Sequence, residues 1–99
     1  MLNMTEKAPN VIMFSKLASQ IAETYEKKNT DYGNSFTGSI EKYGYVAGLV
    51  RMSDKFNRAE NLLLNQEKAL VNDESAVDTL LDLAAYSIML AMEVLNNKK

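Results

Sequence analysis

The sequence has no cysteine and no histidine, and it has a single proline. The absence of cysteine excludes disulfides, thiolate metal sites and cysteine nucleophiles, and the absence of histidine removes the commonest general base and transition-metal ligand. Any chemistry must therefore use carboxylates, hydroxyls, lysine, arginine or a hard metal ion.

Excess positive charge and long apolar runs are also missing. The formal net charge of -2 argues against a dominant nucleic-acid or anionic-membrane surface, because both partners are polyanions. Residues 1–10 lack the basic end and apolar run of a secretory signal, and charges interrupt the apolar stretches before the roughly 20 residues that cross a bilayer. We therefore expect a cytoplasmic protein without a membrane partner.

The length of 99 residues and the hydrophobic content of 46% are usual for one compact domain. We expect a single domain over residues 1–99. A helical domain this short buries a limited fraction of its surface, so self-association often adds stability. A homo-oligomer is the corresponding expectation.

Apolar residues at three- and four-residue steps predict three long helices and no strand. These helices span residues 11–28, 45–64 and 74–95. Their apolar stripes, which we expect to face the core, contain Phe14, Leu17, Ala18, Ile21 and Tyr25 in the first helix, Val46, Leu49, Val50, Ser53, Phe56 and Leu63 in the second, and Val77, Leu80, Leu81, Ala84, Ile88 and Leu95 in the third. The predicted fold is all-α, a small antiparallel helical bundle.

The connecting segments are predicted from turn-forming residues. Residues 27–35 are rich in asparagine, aspartate, serine and glycine and are expected to form a loop. Residues 36–45 contain two glycines and predict only a brief helical turn. Residues 1–10 contain Pro9 and no clear period, so we expect a loose N-terminal arm there.

The last helix carries a one-sided row of carboxylates, Glu74, Asp78 and Asp82. Residues four apart are rotated by only about 40°, so the three acids share a face and repel one another. Glu74 lies in the first turn, where the helix dipole favours negative charge, but Asp82 lies two turns further on. The row therefore needs a partner, either a metal ion or another helix.

The second helix carries a mostly basic stripe, Arg51, Asp54, Lys55 and Arg58. In one interpretation these cations meet the acids as structural salt bridges between antiparallel helices. In the other, Asp54 joins the acids in holding Mg²⁺ while the cations bind the phosphates that the metal bridges. The sequence leaves both interpretations open.

An aromatic residue in the predicted loop and another in the last helix extend the second interpretation. Asp31, Tyr32 and Asn34 combine groups suited to recognising a nucleobase or sugar, and Tyr86 lies one turn beyond the acidic row, where it could stack a base. The alternatives are that Gly33 and Asn34 simply form a turn and that Tyr86 packs within the bundle.

Three strings carry a family resemblance: residues 31–36 (DYGNSF), residues 51–58 (RMSDKFNR) and residues 73–86 (DESAVDTLLDLAAY). In this order they resemble the nucleotide-modification-associated domain of the first type, a family found largely in bacteriophages and bacteria. The resemblance extends from Tyr25 to Leu90. It implies a nucleotide-related role, and the host cytoplasm as location if the protein is phage-encoded.

More distantly, residues 74–78 followed by an apolar helix are similar to the metal-binding helix of MazG-like all-α nucleotide pyrophosphatases. In those enzymes acids on two helices hold Mg²⁺ against a nucleoside triphosphate. A preceding helix there supplies a pair of glutamates, whereas this sequence offers Asp54 beside Lys55 and Arg58. This departure favours phosphate binding over metal binding.

Three functions follow as hypotheses. The first is a Mg²⁺-dependent nucleotide pyrophosphohydrolase in which Glu74 and Asp78 are catalytic and the metal ligands are Asp54, Glu74, Asp78 and Asp82. The second is a protein that sequesters a nucleotide or a nucleotide-derived immune signal without turnover, using the basic stripe and the loop. The third is a structural module whose charges only specify helix pairing.

Overall fold

The computed structural model describes residues 2–32, 34–65 and 73–97, and it describes side chains for residues 8–29, 34–65 and 75–97. Every element in these ranges is a helix, and none is a strand, which confirms the all-α class. The four helices in chain order are α1 (Leu2–Tyr32), α2 (Ser35–Tyr43), α3 (Val46–Leu64) and α4 (Asp73–Asn96).

The first helix begins earlier than the sequence predicts. It starts at Leu2 and contains Pro9, so residues 2–10 are helical where the sequence predicts a loose arm. Leucine, methionine, glutamate, lysine and alanine before the proline are all good helix formers. Their combined preference outweighs the one backbone hydrogen bond that Pro9 cannot donate.

The same helix also ends later, at Tyr32, so the loop predicted from residue 27 was wrong over most of its length. Tyr25 and Asn29 are half-buried and line clefts that α4 also lines. Tertiary packing of this kind routinely overrides the weak intrinsic preference of asparagine and threonine against helix. The polar residues therefore extend a helix instead of breaking it.

The second helix is longer than the predicted turn, with nine residues, and it packs Phe36 and Ile40 into the core. It ends at Gly44, whose φ of 82° is a conformation that glycine adopts without the steric cost of a Cβ. The Gly44 N–H donates to the Ile40 carbonyl at 2.7 Å, and α3 follows at once. This tight turn fixes α2 against the start of α3.

The third and fourth helices form an antiparallel pair, as the sequence predicts. Lys55 contacts Asp82, and Arg51, one turn earlier, contacts Tyr86, one turn later. Small buried residues line the seam between the helices: Gly48, Ala59, Ala76 and Thr79. A Cβ at Gly48 would lie 2.9 Å from a methyl carbon of Leu90, so the two helices approach closely there.

The core is small, and the predicted apolar stripes lie outside it. The buried hydrophobic residues in the described ranges are Phe36, Ile40, Ala59, Leu62 and Ala76. By contrast, Phe56 is 56% exposed, Ile88 51% and Phe14 76%. The same is true of most of the stripe residues in α3 and α4, namely Val46, Leu49, Val50, Leu63, Val77, Leu80 and Leu95. The expectation that these stripes face the core of the chain was wrong, because α3 and α4 meet through their small residues instead.

The fourth helix is the one described segment that is long and apolar enough to cross a membrane, with a mean hydropathy of 1.4 over residues 75–96. No such segment was expected from the sequence. The core helix of a soluble protein passes the same test of length and composition when it is mostly buried, and 11% of this segment is buried.

Candidate functional site

A cleft of about 350 Å³ opens between the second half of α1, the start of α2 and the α3–α4 pair. Its volume lies within the range typical of small-molecule sites. Its lining residues are Thr24, Tyr25, Lys28, Asn29, Ser35, Phe36, Arg51, Lys55, Asp82, Ala85, Tyr86 and Met89. We refer to this feature as the cationic cleft.

Three cations and one carboxylate line the cationic cleft, so it is locally positive although the chain as a whole is acidic. Lys55 Nζ lies 3.1 Å from Asp82 Oδ2, and about a third of each side chain is exposed. This ion pair joins α3 to α4. An ion pair this exposed is worth about 0–1 kcal/mol, so an incoming anion can compete for Lys55.

An aromatic wall lies beside the cations. The rings of Phe36 and Tyr86 have their centroids 6.0 Å apart and are tilted by 32°. The Arg51 guanidinium lies 5.8 Å from the centroid of the Tyr86 ring, and its Nη1 donates to the Tyr86 hydroxyl at 3.4 Å. Stacking and hydrogen bonding of this kind hold Arg51 against the wall of the cleft.

A second, more polar pocket of about 220 Å³ adjoins the first and shares Tyr25, Asn29, Phe36 and Met89 with it. Its other lining residues are Asn34, Thr37, Met92, Glu93 and Asn96. The Thr37 hydroxyl donates to Glu93 Oε2 at 2.5 Å, which ties α2 to the end of α4. Amide groups and a carboxylate therefore line the continuation of the cationic cleft.

The structure brings together several of the residues that the sequence singles out. Arg51, Lys55, Asp82 and Tyr86 all line the cationic cleft, and Asn34 lines the adjoining pocket. Asp82 meets Lys55 as the structural interpretation of the charged stripes requires. Lys55 and Arg51, both on α3, also line the cleft together, as the phosphate-binding interpretation requires.

Other predicted residues lie elsewhere. Asp54, Arg58 and Asp78 are exposed and line neither pocket. The side chains of Asp31, Tyr32 and Glu74 lie outside the described residues, although all three positions are helical.

The magnesium site proposed from the sequence needs Asp54, Glu74, Asp78 and Asp82 together. Within the described side chains, no group of three or more acids is arranged to hold a metal ion. Asp82, which lines the cleft, is paired with Lys55, and the Glu74 side chain lies outside the described residues.

Four cleft residues on α1 were not predicted as site residues: Thr24, Tyr25, Lys28 and Asn29. Tyr25 belongs to the predicted apolar stripe of the first helix, and Lys28 is the last residue of that predicted helix. Tyr25, Lys28 and Asn29 lie three and four residues apart, which puts them on one helix face if the helix continues. This spacing could have identified the three residues as one helix face, but residues 27–35 were predicted to form a loop.

The fold and the cleft define a class: a small all-α protein with a basic, aromatic-lined cleft between its helices. The chain belongs to the family described as nucleotide modification associated domain 1, whose family model matches residues 28–94. The matched range contains α2, α3, most of α4 and the end of α1, and it confirms the resemblance read from the sequence.

No curated protein and no solved structure matches the chain. The more distant likeness to MazG-like pyrophosphatases accordingly has no support beyond the sequence pattern.

Proposed function

We propose that the chain binds a phosphate-bearing nucleotide in the cationic cleft. The observation that carries this proposal is the meeting of three cations, Lys28, Arg51 and Lys55, with the aromatic rings of Tyr25, Phe36 and Tyr86 around one cleft. Cations recognise phosphate and aromatic faces stack on bases, so the two kinds of group together suit both ends of a nucleotide. The family description adds an association with nucleotide modification.

The phosphates would lie against Arg51 and Lys55. Arg51 is oriented by the Tyr86 hydroxyl, and a guanidinium held in this way presents its remaining N–H groups to two phosphate oxygens at once. Lys55 would exchange its contact with Asp82 for the phosphate, which carries more negative charge. Lys28 faces the same cleft from α1 and supplies a third positive charge.

The base and sugar would extend toward the polar pocket. Its amides, Asn29 and Asn34, offer both donors and acceptors, which is what recognition of base edges and ribose hydroxyls requires. Phe36 and Tyr25 line both pockets and provide the apolar surface between them. A ligand of nucleotide size would therefore bridge the two.

Binding without turnover is the form of this function that we favour, in which the protein sequesters its nucleotide. Hydrolysis through Mg²⁺ would need carboxylates around the cleft, and Asp54 and Asp78 line neither pocket. Glu74 would have to supply the missing ligand for the MazG-like alternative to hold. The two forms differ in one observable, the fate of the bound nucleotide.

The experiment is titration calorimetry and thermal unfolding with a panel of nucleoside mono-, di- and triphosphates and pyrophosphate, with and without Mg²⁺. A ligand at 100 times its dissociation constant stabilises the native state by about 2.7 kcal/mol. We expect at least one nucleotide to raise the midpoint of unfolding by about 10 °C without Mg²⁺. No response to any member of the panel would leave the structural module, in which the Lys55–Asp82 pair only joins two helices.

The matched variants are Arg51→Ala and Arg58→Ala, which remove the same side chain from the same helix. Arg51 lines the cleft and Arg58 does not. We expect Arg51→Ala to weaken binding at least tenfold, about 1.4 kcal/mol, and Arg58→Ala to weaken it less than twofold. Equal losses would remove the cleft as the binding site.

Chromatography of the recovered ligand after incubation with Mg²⁺ separates sequestration from hydrolysis. We expect intact nucleotide. Release of pyrophosphate or a nucleoside monophosphate would instead establish turnover.

A further inference from the structure

The exposed side of α4 carries an unbroken apolar heptad pattern. Its members follow one another at steps of four, three, four, three and four residues: Val77, Leu81, Ala84, Ile88, Ala91 and Leu95. Ile88 is 51% exposed and Leu95 67% exposed. A regular heptad of apolar residues is the pattern by which one helix packs against another over several turns. Within the described chain, no helix covers this side of α4.

The neighbouring helix α3 exposes a second apolar stripe. Leu49, Phe56 and Leu63 repeat every seven residues and are each 45% exposed or more. Val46 and Val50 lie further round the helix and are 57% and 53% exposed. We call these two stripes of α3 and α4 together the apolar face.

The apolar face is separate from the cationic cleft. At about 100° per residue, Leu49 and Phe56 lie roughly 80° to one side of the buried Gly48 and Ala59, and Arg51 and Arg58 lie roughly 80° to the other. On α4, Ile88 lies about 160° or more from Tyr86 around the helix axis. A partner on the apolar face would therefore leave the cleft open.

The exposed area is larger than that of a typical compact monomer. A monomeric protein of 11.1 kDa has an accessible surface of about 5,700 Å², whereas this chain has 8010 Å². The radius of gyration is 16.3 Å, compared with about 13 Å for a compact chain of this length. Part of the excess belongs to the start of α1, where Phe14 and its neighbours are exposed. The total excess, about 2,300 Å², is larger than the roughly 800 Å² per partner that a standard interface buries.

We propose that the apolar face is the interface with a second copy of this chain, with the α4 heptads of the two copies in contact. A second copy supplies an apolar stripe of the same period and length, which is the requirement for pairing of like helices. A lipid surface fits less well, because Ser53 and Glu60 interrupt the α3 stripe and Asp78 and Asp82 lie further round α4. This inference does not depend on nucleotide binding.

The test is the molar mass in solution, measured by sedimentation equilibrium or light scattering at about 10 µM chain. We expect at least twice the chain mass of 11.1 kDa for the wild type and a return to the monomer mass for Ile88→Glu. Ile88 is half exposed in the single chain, so the glutamate is tolerated by the monomer fold and opposes only the association. Gln20→Glu adds the same charge at an exposed position of α1 and should keep the wild-type mass.

A monomeric wild type, or an Ile88→Glu variant that keeps the wild-type mass, would overturn the proposal. Flotation of a monomeric wild type with neutral phosphatidylcholine vesicles would overturn it as well and assign the face to lipid.

A second measurement tests the proposal even if Ile88→Glu fails to fold. The chain has no cysteine, so Ala91→Cys and Gln20→Cys each introduce a single thiol, and both positions are exposed in the chain by itself. A second copy on the apolar face would cover Ala91→Cys and slow its alkylation at least tenfold relative to Gln20→Cys at high protein concentration. Equal alkylation rates would contradict the proposal. The nucleotide response of Ile88→Glu should equal that of the wild type, which separates this test from that of the proposed function.

Discussion

Two sides of the same pair of helices differ in almost every physical respect. On one side of α3 and α4 the cationic cleft gathers Arg51, Lys55, Asp82 and Tyr86, and its contacts are ion pairs, hydrogen bonds and ring stacking. On the other side the apolar face presents aliphatic and aromatic groups, such as Phe56, to solvent. The difference teaches that one helix pair can present two surfaces of opposite character, one charged and one hydrophobic.

The seam between the two sides explains why both exist. Close approach of α3 and α4 depends on Gly48, Ala59 and Ala76, which bury little surface of their own. Most of the large apolar side chains of α3 and α4 therefore lie on the outside of the helix pair. A helix pair joined by small residues has a thin core, and each side then acts as a separate surface.

The largest expected effect is the loss of stability when the core beside this seam is disturbed. Leu62 is 7% exposed and is one of the few large side chains in the core, so Leu62→Ala should lower the free energy of unfolding by about 2–4 kcal/mol. Leu62→Met keeps the volume and should cost less than about 1.5 kcal/mol. Denaturant unfolding at one fixed chain concentration measures both, because association makes stability depend on concentration. Equal losses would show that the seam is not packed as described.

Salt should separate the two sides. Raising NaCl from 0.05 to 0.5 M screens exposed charges, since the Debye length falls from about 14 to about 4 Å, and should weaken nucleotide binding about tenfold. Burial of apolar surface does not depend on charge, so the association of chains should change less than twofold or strengthen slightly. Calorimetry and sedimentation at the two salt concentrations give the two constants. A parallel loss of both would mean that charges also hold the interface between copies.

The smallest expected effect is at the ion pair. Asp82→Asn should change the free energy of unfolding by less than about 1 kcal/mol, because the Lys55–Asp82 pair is about a third exposed. It should also tighten the binding of pyrophosphate or nucleotide about threefold, since the carboxylate no longer competes for Lys55. Asp54→Asn, outside the cleft, is the control. Loss of a Mg²⁺-dependent affinity in Asp82→Asn would instead make Asp82 a metal ligand.

Part of the cleft could be predicted from the sequence. Arg51 and Lys55 share a helix side by spacing alone, and Asp82 and Tyr86 share a side of the next helix, so an antiparallel pair brings them together. Arg58 follows the same spacing but does not line the cleft. A helical period gives the side of a helix on which a residue lies, and it does not say how far along the helix a cleft extends.

The α1 side of the cleft could not be predicted, for a different reason. Asparagine and threonine after Lys28 favour turns in isolation, and only contact with α4 makes helix the better state for them. Tyr25 and Asn29 line the cleft together because α1 continues past Lys28. Local preference favoured a loop at these residues, and a tertiary contact opposed it.

What the sequence by itself determined is the helical period of α3 and α4, the separation of their charged and apolar sides, and a chemistry limited to carboxylates, hydroxyls and cations. The tertiary structure decided which side of each helix is buried. The sequence pattern of an apolar stripe is the same whether the stripe faces the chain's own core or a partner. Only the close approach permitted by Gly48, and the small residues that continue it, placed Phe56 and Ile88 on the outside.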